Sequence, residues 1–163
     1  MMLPAPVNSN RLAQRFRKLA DEGRKGFVAY ITAGDPSAEA TVEVMHALEE
    51  AGTDVIELGI PFSDPLADGP TIQAASNRAL AAGMTVPGAL ELVRKFRSRS
   101  ELPLVLFTYL NPIYVYGFER FLTDAAAAGA DGLLILDLPP DEAERNAELV
   151  AAGANAGGLG FIT

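Results

Sequence analysis

Glu57 and Asp68 are the residues whose types and surroundings most suggest chemistry, and they flank a long connection within ELGIPFSDPLADGPTIQ. Glu57 interrupts the apolar run VIELGI, so its carboxyl group must enter an apolar environment. Burial disfavours the charged form of a carboxyl group and raises its pKa toward the range useful for proton transfer near neutrality. Glu57 could therefore both donate and accept a proton.

Asp68 is expected in the opposite environment, just before a helix that is predicted to open at Pro70. The N–H groups and the dipole of a helix N-terminus favour an ionised carboxylate. The two carboxyl groups could then serve as an acid and a base, or as an acid and an anchor for a substrate N–H group. Structural roles are the alternatives: Asp68 could be only a helix cap, which stays open, and Asp64 before Pro65 is interpreted as a turn former.

The spacing of apolar residues predicts an alternation of strands and helices that would position these carboxylates. Strands are predicted for four short apolar runs, at 26–32, 54–60, 103–109 and 132–138. Helices are predicted at 9–23 with a cap at Asn8 or Ser9, at 37–51, from Pro70, at 86–97, at 118–128, and in a segment ending near Ala152. The segments LNPIYVYG and PPDEAE are predicted to be loops. One extra helix therefore precedes four strand-then-helix units.

Three junctions repeat one another, in EAGTDVIEL, AAGADGLLI and AAGANAGGL. In the first two, glycine is expected to end a helix in the left-handed conformation, and the next residues enter the strand. Such an internal repeat of βα units favours a parallel sheet with right-handed crossovers. Either a doubly wound open sheet or part of a (β/α)8 barrel would satisfy this pattern.

Both architectures gather the loops that follow the strands on one face, where active sites form. Six polar residues fall at or just after predicted strand ends: Asp35, Glu57, Asp64, Asp68, Asn111 and Asp137. For Asp137, a salt bridge or a helix cap is the competing interpretation. Tyr30, Phe107 and Tyr109 lie near the same face, where lining a pocket and ordinary core packing both stay open.

Composition excludes several other kinds of function. The 163 residues suit one domain, and a net charge of −8 argues against a nucleic-acid partner. The sequence has no cysteine, and its one histidine, His46, has no second histidine at metal-binding spacing, so no metal site is expected. No apolar stretch approaches the roughly 20 residues of a membrane-spanning helix, and no signal peptide is evident. We expect a cytoplasmic protein.

Four segments, GFVAYITAGDP, ELGIPFSDPLADGPTIQ, FTYLNPIYVYG and ILDLP, closely resemble the tryptophan synthase α-subunit family in order and spacing, from about Leu12 to Val150. The resemblance implies a lyase of tryptophan biosynthesis with a (β/α)8 fold. It would cleave indole-3-glycerol phosphate to indole and glyceraldehyde 3-phosphate by a retro-aldol reaction, without cofactor or metal. By position, Glu57 would be the general acid/base that protonates the indole carbon, and Asp68 would engage the indole N–H group.

The resemblance also implies the surroundings of the substrate and a partner. Five residues would lie in or near the indole pocket: Phe27, Phe107, Tyr109, Leu134 and Asp137. The segments Pro61–Pro70 and Asn111–Gly117 would face a β subunit in an α2β2 assembly.

The family's barrel has eight βα units in about 250 residues, whereas this sequence carries about the first half of it as a single partial domain, 1–163. The family's glycine-rich phosphate loops have no counterpart here. The Gly/Ala-rich tail, 151–163, is interpreted as a remnant rather than as a phosphate-binding loop. The first and last strands, GFVAYIT and GLLILDL, would then be unpaired apolar edges that favour self-association. The alternative function is a catalytically inactive half barrel that acts only as a binding or oligomerising module.

Overall fold

The computed structural model describes residues 11–138 and, for the backbone alone, residues 160–162. Its strands are β1 (Val28–Thr32), β2 (Val55–Gly59), β3 (Leu104–Thr108), β4 (Gly132–Ile135) and β5 (Gly160–Ile162). Its helices are α1 (Arg11–Asp21), α2 (Ala38–Glu50), α3 (Pro70–Ala81), α4 (Val86–Arg97), α5 (Leu110–Tyr116) and α6 (Phe118–Ala128). The predicted cap at Asn8 or Ser9, the PPDEAE loop and the helix ending near Ala152 lie outside the described residues.

Local signals explain where several helices begin. The Ser37 hydroxyl accepts the N–H of Ala40 and caps α2, and the Thr85 hydroxyl accepts the N–H of Gly88 and caps α4. Helix α3 opens with Pro70, whose missing N–H would have no partner inside the helix. The predicted start at Pro70 and both bounds of the helices at 86–97 and 118–128 are confirmed.

The five strands are parallel and lie in chain order, β1-β2-β3-β4-β5. A doubly wound sheet reverses its strand order at a switch point, whereas a barrel adds each new strand on the same side. The described strands show no reversal. The arrangement is therefore about half of a (β/α)8 barrel with an extra helix at its start.

The two faces of the sheet differ in what covers them. One face packs against α2, α4 and α6 and forms the hydrophobic core, whose largest buried members include Met45, Ile56, Leu58, Phe96, Leu104, Leu106, Phe121 and Leu133. On the other, concave face, parallel register aligns the strands in rows. One row is Tyr30, Glu57, Val105 and Gly132, and the next row toward the carboxyl ends is Thr32, Gly59, Phe107 and Leu134. Rows of this kind fill the interior of (β/α)8 barrels.

The segment LNPIYVYG forms helix α5, so its prediction as a loop is wrong. Pro112 is the third residue of this helix, where a backbone N–H has no helical partner to lose. Ile113 is fully buried, and the Tyr116 hydroxyl donates to the Asp124 carboxylate of α6 at 2.5 Å. Tertiary contacts thus fix a helix in a segment whose Asn-Pro pair and glycine indicate a turn.

The end of the Gly/Ala-rich tail extends the sheet. Residues Gly160–Ile162 form β5 and pair in parallel with β4, in the register Leu133 to Phe161. The expectation that GLLILDL is an unpaired edge is therefore wrong, whereas the interpretation of the tail as a remnant stays a prediction. Among the described strands, β1 keeps a free edge.

The two Ala-Gly-x-Asp junctions have the same local structure. Gly52 and Gly129 have φ values of +94° and +97°, which confirms the predicted left-handed glycine. Asp54 and Asp131, buried at the starts of β2 and β4, each accept a backbone N–H from a neighbouring strand segment. Asp54 accepts from Phe27 at 2.9 Å and Asp131 from Leu104 at 3.0 Å. These side chains extend the strand pairing at the amino ends of the sheet.

Helix α1 contacts both of these aspartates through arginines one turn apart. Arg15 lies 3.6 Å from Asp54, and Arg11 lies 2.9 Å from Asp131. A second arginine also binds each aspartate: Arg24 reaches Asp54 at 2.6 Å, and Arg97 reaches Asp131 at 3.0 Å. These ion pairs attach α1 to the amino ends of the strands, opposite the end where Asp68 lies.

Candidate active site

Glu57 lies at the middle of β2 on the concave face, in register with Tyr30 on one side and Val105 on the other. Its side chain is half-buried, and burial raises the pKa of its carboxyl group. The direction of this shift is the one expected from its position in VIELGI. A carboxyl group in this state can hold a proton closer to neutrality than an exposed one.

An aromatic wall adjoins Glu57. The rings of Tyr30 and Phe107 meet edge to face with centroids 5.2 Å apart, and Leu134 lies beside Phe107 in the same row. The hydroxyl of Tyr30 lies over Gly59, where a Cβ atom would be 2.1 Å from it. The structure therefore brings Phe107 and Leu134 to the face that carries Glu57, together with a glycine that makes room for a phenol.

The structure does not bring Phe27 into this cluster. Phe27 precedes β1 at the amino end of the sheet, its side chain is 60% exposed, and its N–H binds Asp54. Tyr30, three residues further along, occupies the place on the concave face instead. Side chains alternate between the two faces of a strand, so Phe27 and Tyr30, three residues apart in GFVAYIT, are expected on opposite faces. The register with Glu57 shows that Tyr30 is the one on the concave face.

Asp68 lies in the loop after β2, where its charge acts on both Tyr30 and Tyr109. Burial raises the pKa of Tyr30 and of Tyr109, and in each case the charge of Asp68 adds to the shift. Glu57 also contributes to the shift at Tyr30, so this phenol lies near both carboxyl groups. The N-cap of α3 is Gly69, which makes no side-chain cap, so Asp68 does not occupy the capping position itself.

Tyr109 joins the two loops of the site. Its hydroxyl accepts the backbone N–H of Ala67 at 3.0 Å, and its ring packs against Phe62 with centroids 5.4 Å apart. It is only 4% exposed. This tyrosine of the third unit therefore holds the loop of the second unit, directly beside Asp68.

Asp137 follows β4 and makes a contact with the neighbouring unit. Its Oδ1 accepts the backbone N–H of Leu110, the first residue of α5, at 2.6 Å. The helix-cap interpretation of Asp137 therefore has a direct observation behind it, although the helix is α5 of the preceding unit. Two other acids at strand ends also have partners: Asp35 accepts two bonds of 2.8 Å from Arg78 of α3, and Asp64 accepts from the Ser63 hydroxyl.

The two segments predicted to face a partner carry exposed apolar side chains. Leu66 is 95% exposed, Tyr114 75% and Val115 79%. A groove of about 590 Å³ runs between these segments and the α3–α4 connection, lined by Phe62, Met84, Pro87 and Pro112 among others. Contiguous apolar surface of this kind marks interaction sites in many proteins.

Within residues 11–138, no group of three or more His, Cys, Asp or Glu side chains is arranged to hold a metal ion. None of the helices in the described ranges has the length and apolar character needed to span a membrane.

Comparisons with known proteins agree with one another. A family model described as the tryptophan synthase alpha chain matches residues 16–160. The tryptophan synthase alpha chain of Citrifermentans bemidjiense is 53% identical over 148 residues, which are 91% of this chain and 54% of that protein. The corresponding protein of Geotalea uraniireducens is 51% identical over 153 residues, which are 94% of this chain and 56% of that protein.

A solved structure gives the same result for the fold. Tryptophan synthase subunit alpha from Legionella pneumophila superimposes with a TM-score of 0.88 at 46% identity, covering 93% of this chain and 57% of that one. The chain thus spans about half the length of the relatives that it matches. On the match over residues 16–160 and on these identities, the chain belongs to the tryptophan synthase alpha chain family.

Proposed function

We propose that this chain takes part in tryptophan biosynthesis by the retro-aldol cleavage of indole-3-glycerol phosphate to indole and glyceraldehyde 3-phosphate. The observation that carries the proposal is a half-buried Glu57 of raised pKa in register with Tyr30, whose own pKa is raised by burial and then by the charges of Asp68 and Glu57. Family membership supplies the reaction, and this geometry supports the assignment of the roles.

In the proposed reaction, protonated Glu57 donates its proton to the indole carbon at the bond to be broken. The ring then carries a positive charge on its N–H side, which the Asp68 carboxylate stabilises. The hydroxyl on the adjacent side-chain carbon loses its proton to the Glu57 carboxylate, and its electrons form the aldehyde as the carbon–carbon bond breaks. The ring recovers these bonding electrons as indole, so that no proton is gained or lost overall and no cofactor is required.

The concave wall suits the apolar part of such a substrate. Phe107 and Leu134 would contact the indole ring, with Tyr30 at the side of Glu57. We further propose that the exposed surface formed by Leu66, Tyr114 and Val115 contacts a β subunit, in the α2β2 arrangement that the family implies. The high exposure of these three apolar side chains supports this part of the proposal.

The test is release of indole from indole-3-glycerol phosphate by the chain, by Glu57→Gln and by Glu91→Gln. Glu91 is an exposed α4 residue paired with Arg94, which makes it a matched control. We expect activity in the parent and in Glu91→Gln, and a loss of about 10²–10⁴-fold in Glu57→Gln, the usual value of general acid–base catalysis. Activity that survives in Glu57→Gln would remove the catalytic assignment. Absence of activity from the parent would favour the inactive binding module.

A further inference from the structure

We infer that Asp137 is a positioning residue, which acts on Asp68 through hydrogen bonds that join three successive βα loops. The inference rests on the proposed role of Asp68 for its functional meaning. The hydrogen bonds themselves are independent of that role. They run from Asp137 to the start of α5, from Tyr109 to Ala67, and through the backbone to Asp68.

The first contact fixes the beginning of α5. The N–H of Leu136 donates to the carbonyl of Thr108 at 3.0 Å, which continues the β3–β4 pairing past the ends of the strands. One residue later, the Asp137 carboxylate accepts the N–H of Leu110 at 2.6 Å. Because Leu110 follows Tyr109 directly, this charged hydrogen bond holds the backbone on the carboxyl side of the tyrosine.

The second contact passes from Tyr109 to the next loop. The buried Tyr109 hydroxyl accepts the N–H of Ala67 at 3.0 Å, and the Phe62 ring limits the motion of the tyrosine ring. A phenol that accepts one hydrogen bond still has its own proton to donate. The acceptor beside it is the Asp68 carboxylate, whose charge contributes to the raised pKa of Tyr109 after burial.

The third step is the anchoring of Asp68 by its backbone. Its carbonyl accepts from the Gln73 side chain at 2.8 Å, and its N–H donates to the carbonyl of Pro65 at 3.4 Å. Together with the bond to Ala67, these contacts set the direction of the carboxylate through the main chain. A carboxylate that must meet a substrate N–H benefits from such positioning, because small displacements lower the rate strongly.

Asp137 itself is exposed, and its carboxylate binds the backbone N–H of Leu110 at the start of α5. It therefore differs from Phe107 and Leu134, which lie on the concave wall. This placement assigns to Asp137 an effect on the geometry of the site rather than on contact with the substrate.

Residue-resolved hydrogen exchange of the full chain tests the connection without any measurement of activity. We expect Asp137→Ala to speed exchange of the Leu110 and Ala67 amides by about tenfold, since each loses a stabilising hydrogen bond or its support. Asp137→Asn keeps an acceptor oxygen and should restore much of the protection. Asp64→Asn, which changes an exposed carboxylate of the second loop, should leave both amides unchanged.

Tyr109→Phe tests the direction of the connection. It removes the hydroxyl but keeps the ring, so the Ala67 amide should exchange faster while the Leu110 amide stays protected. If Asp137→Ala speeds hydrogen exchange of the Leu110 amide but leaves that of the Ala67 amide unchanged, the two contacts are independent. That result would overturn the inference.

Kinetics separate positioning from substrate contact. Asp137→Ala should lower kcat for indole release by about tenfold with little change in KM, and Asp137→Asn should recover most of kcat. A rise in KM with unchanged kcat would assign Asp137 to substrate binding and overturn the inference. If the parent releases no indole, the proposed function fails, while the exchange measurements still decide whether the three loops are connected.

Discussion

At the scale of single residues, the main feature of the candidate site is an acid, Glu57, in a strand of apolar residues. Glu57 lies in a strand whose alternate residues, Ile56 and Leu58, are fully buried in the core. The pKa of Glu57 is raised because burial on the concave face disfavours its charged form. This is the pattern expected when a residue is retained for chemistry rather than for packing.

Glu57 makes the stability of the folded state depend on pH in a direction that its raised pKa determines. Because burial raises its pKa above that of the unfolded chain, the folded state favours the protonated form. Its contribution to stability is greatest below its ordinary pKa of about 4.3 and declines as pH rises through the raised value. Glu57→Gln should therefore have a higher Tm than the parent at pH 7, and the difference should narrow toward pH 4. Thermal unfolding of both proteins across this range checks it; equal Tm values at pH 7 would contradict it.

Gly59 is a second residue whose identity the site requires. A Cβ atom there would lie 2.1 Å from the Tyr30 hydroxyl, so Gly59→Ala should lower the free energy of unfolding by about 1–3 kcal/mol through overpacking. Gly69→Ala is the comparison without a clash, since no heavy atom lies within 4 Å of a Cβ at that position, and its smaller cost should reflect only the preference of a helix N-cap for glycine over alanine. Urea unfolding measures both, and the double variant Gly59→Ala/Tyr30→Phe should recover part of the loss. A stable Gly59→Ala protein would show that Tyr30 can move aside freely.

At the scale of elements, the spacing of apolar residues and the proline at position 70 predicted where two of the helices begin. Helix α3 begins at Pro70 and helix α4 at Val86, as expected from the sequence. In α5, by contrast, the stabilising contacts are the burial of Ile113 and the bond from Tyr116 to α6, which no local pattern reveals. Strand β5 has only three residues, Gly160–Ile162, too few to show a strand pattern.

For the proposed site, Glu57 stands out in the sequence because an acid inside an apolar strand has few structural explanations, whereas Asp68 could equally be a helix cap. The choice between Phe27 and Tyr30 depends on register, since a shift of one residue exchanges the two faces of a strand. The bond from Asp137 to Leu110 joins two units, and no spacing within one unit indicates it.

Asp54 makes the start of β2 sensitive to acid. Hydrogen bonds from Arg24 hold the pKa of Asp54 below its ordinary value, so its stabilising effect is present above about pH 4 and is lost as pH falls through the lowered pKa. Asp54→Asn should reduce stability at pH 7, with a Tm lower by several degrees. It should also flatten the decline of Tm between pH 5 and pH 2, which thermal scans over that range measure. An unchanged pH profile would show that this ion pair does not contribute.

At the scale of the whole molecule, the helices within residues 11–138 cover one face of the sheet, and no described helix covers its apolar concave face. Val28 is 43% exposed there, Tyr30, Phe107 and Leu134 are half-buried, and β1 has a free edge among the described strands. Such surfaces favour association. Produced by itself, this polypeptide should self-associate at micromolar concentrations. Sedimentation velocity checks this, and a single well-folded monomer species would contradict it.

The ion pairs of helix α1 predict when this helix docks during folding. Arg11 and Arg15 of this helix bind aspartates that lie where β4 and β2 begin, so the helix has no complete docking surface until both strands have joined the sheet. The first described helix of the chain should therefore be among the last to become fixed during refolding. Pulsed hydrogen-exchange labelling would then show the α1 amides protected after those of β2 and β4. A segment that precedes β2 and β4 in the chain would thus dock only after them, and its docking would mark the completion of this half of the barrel.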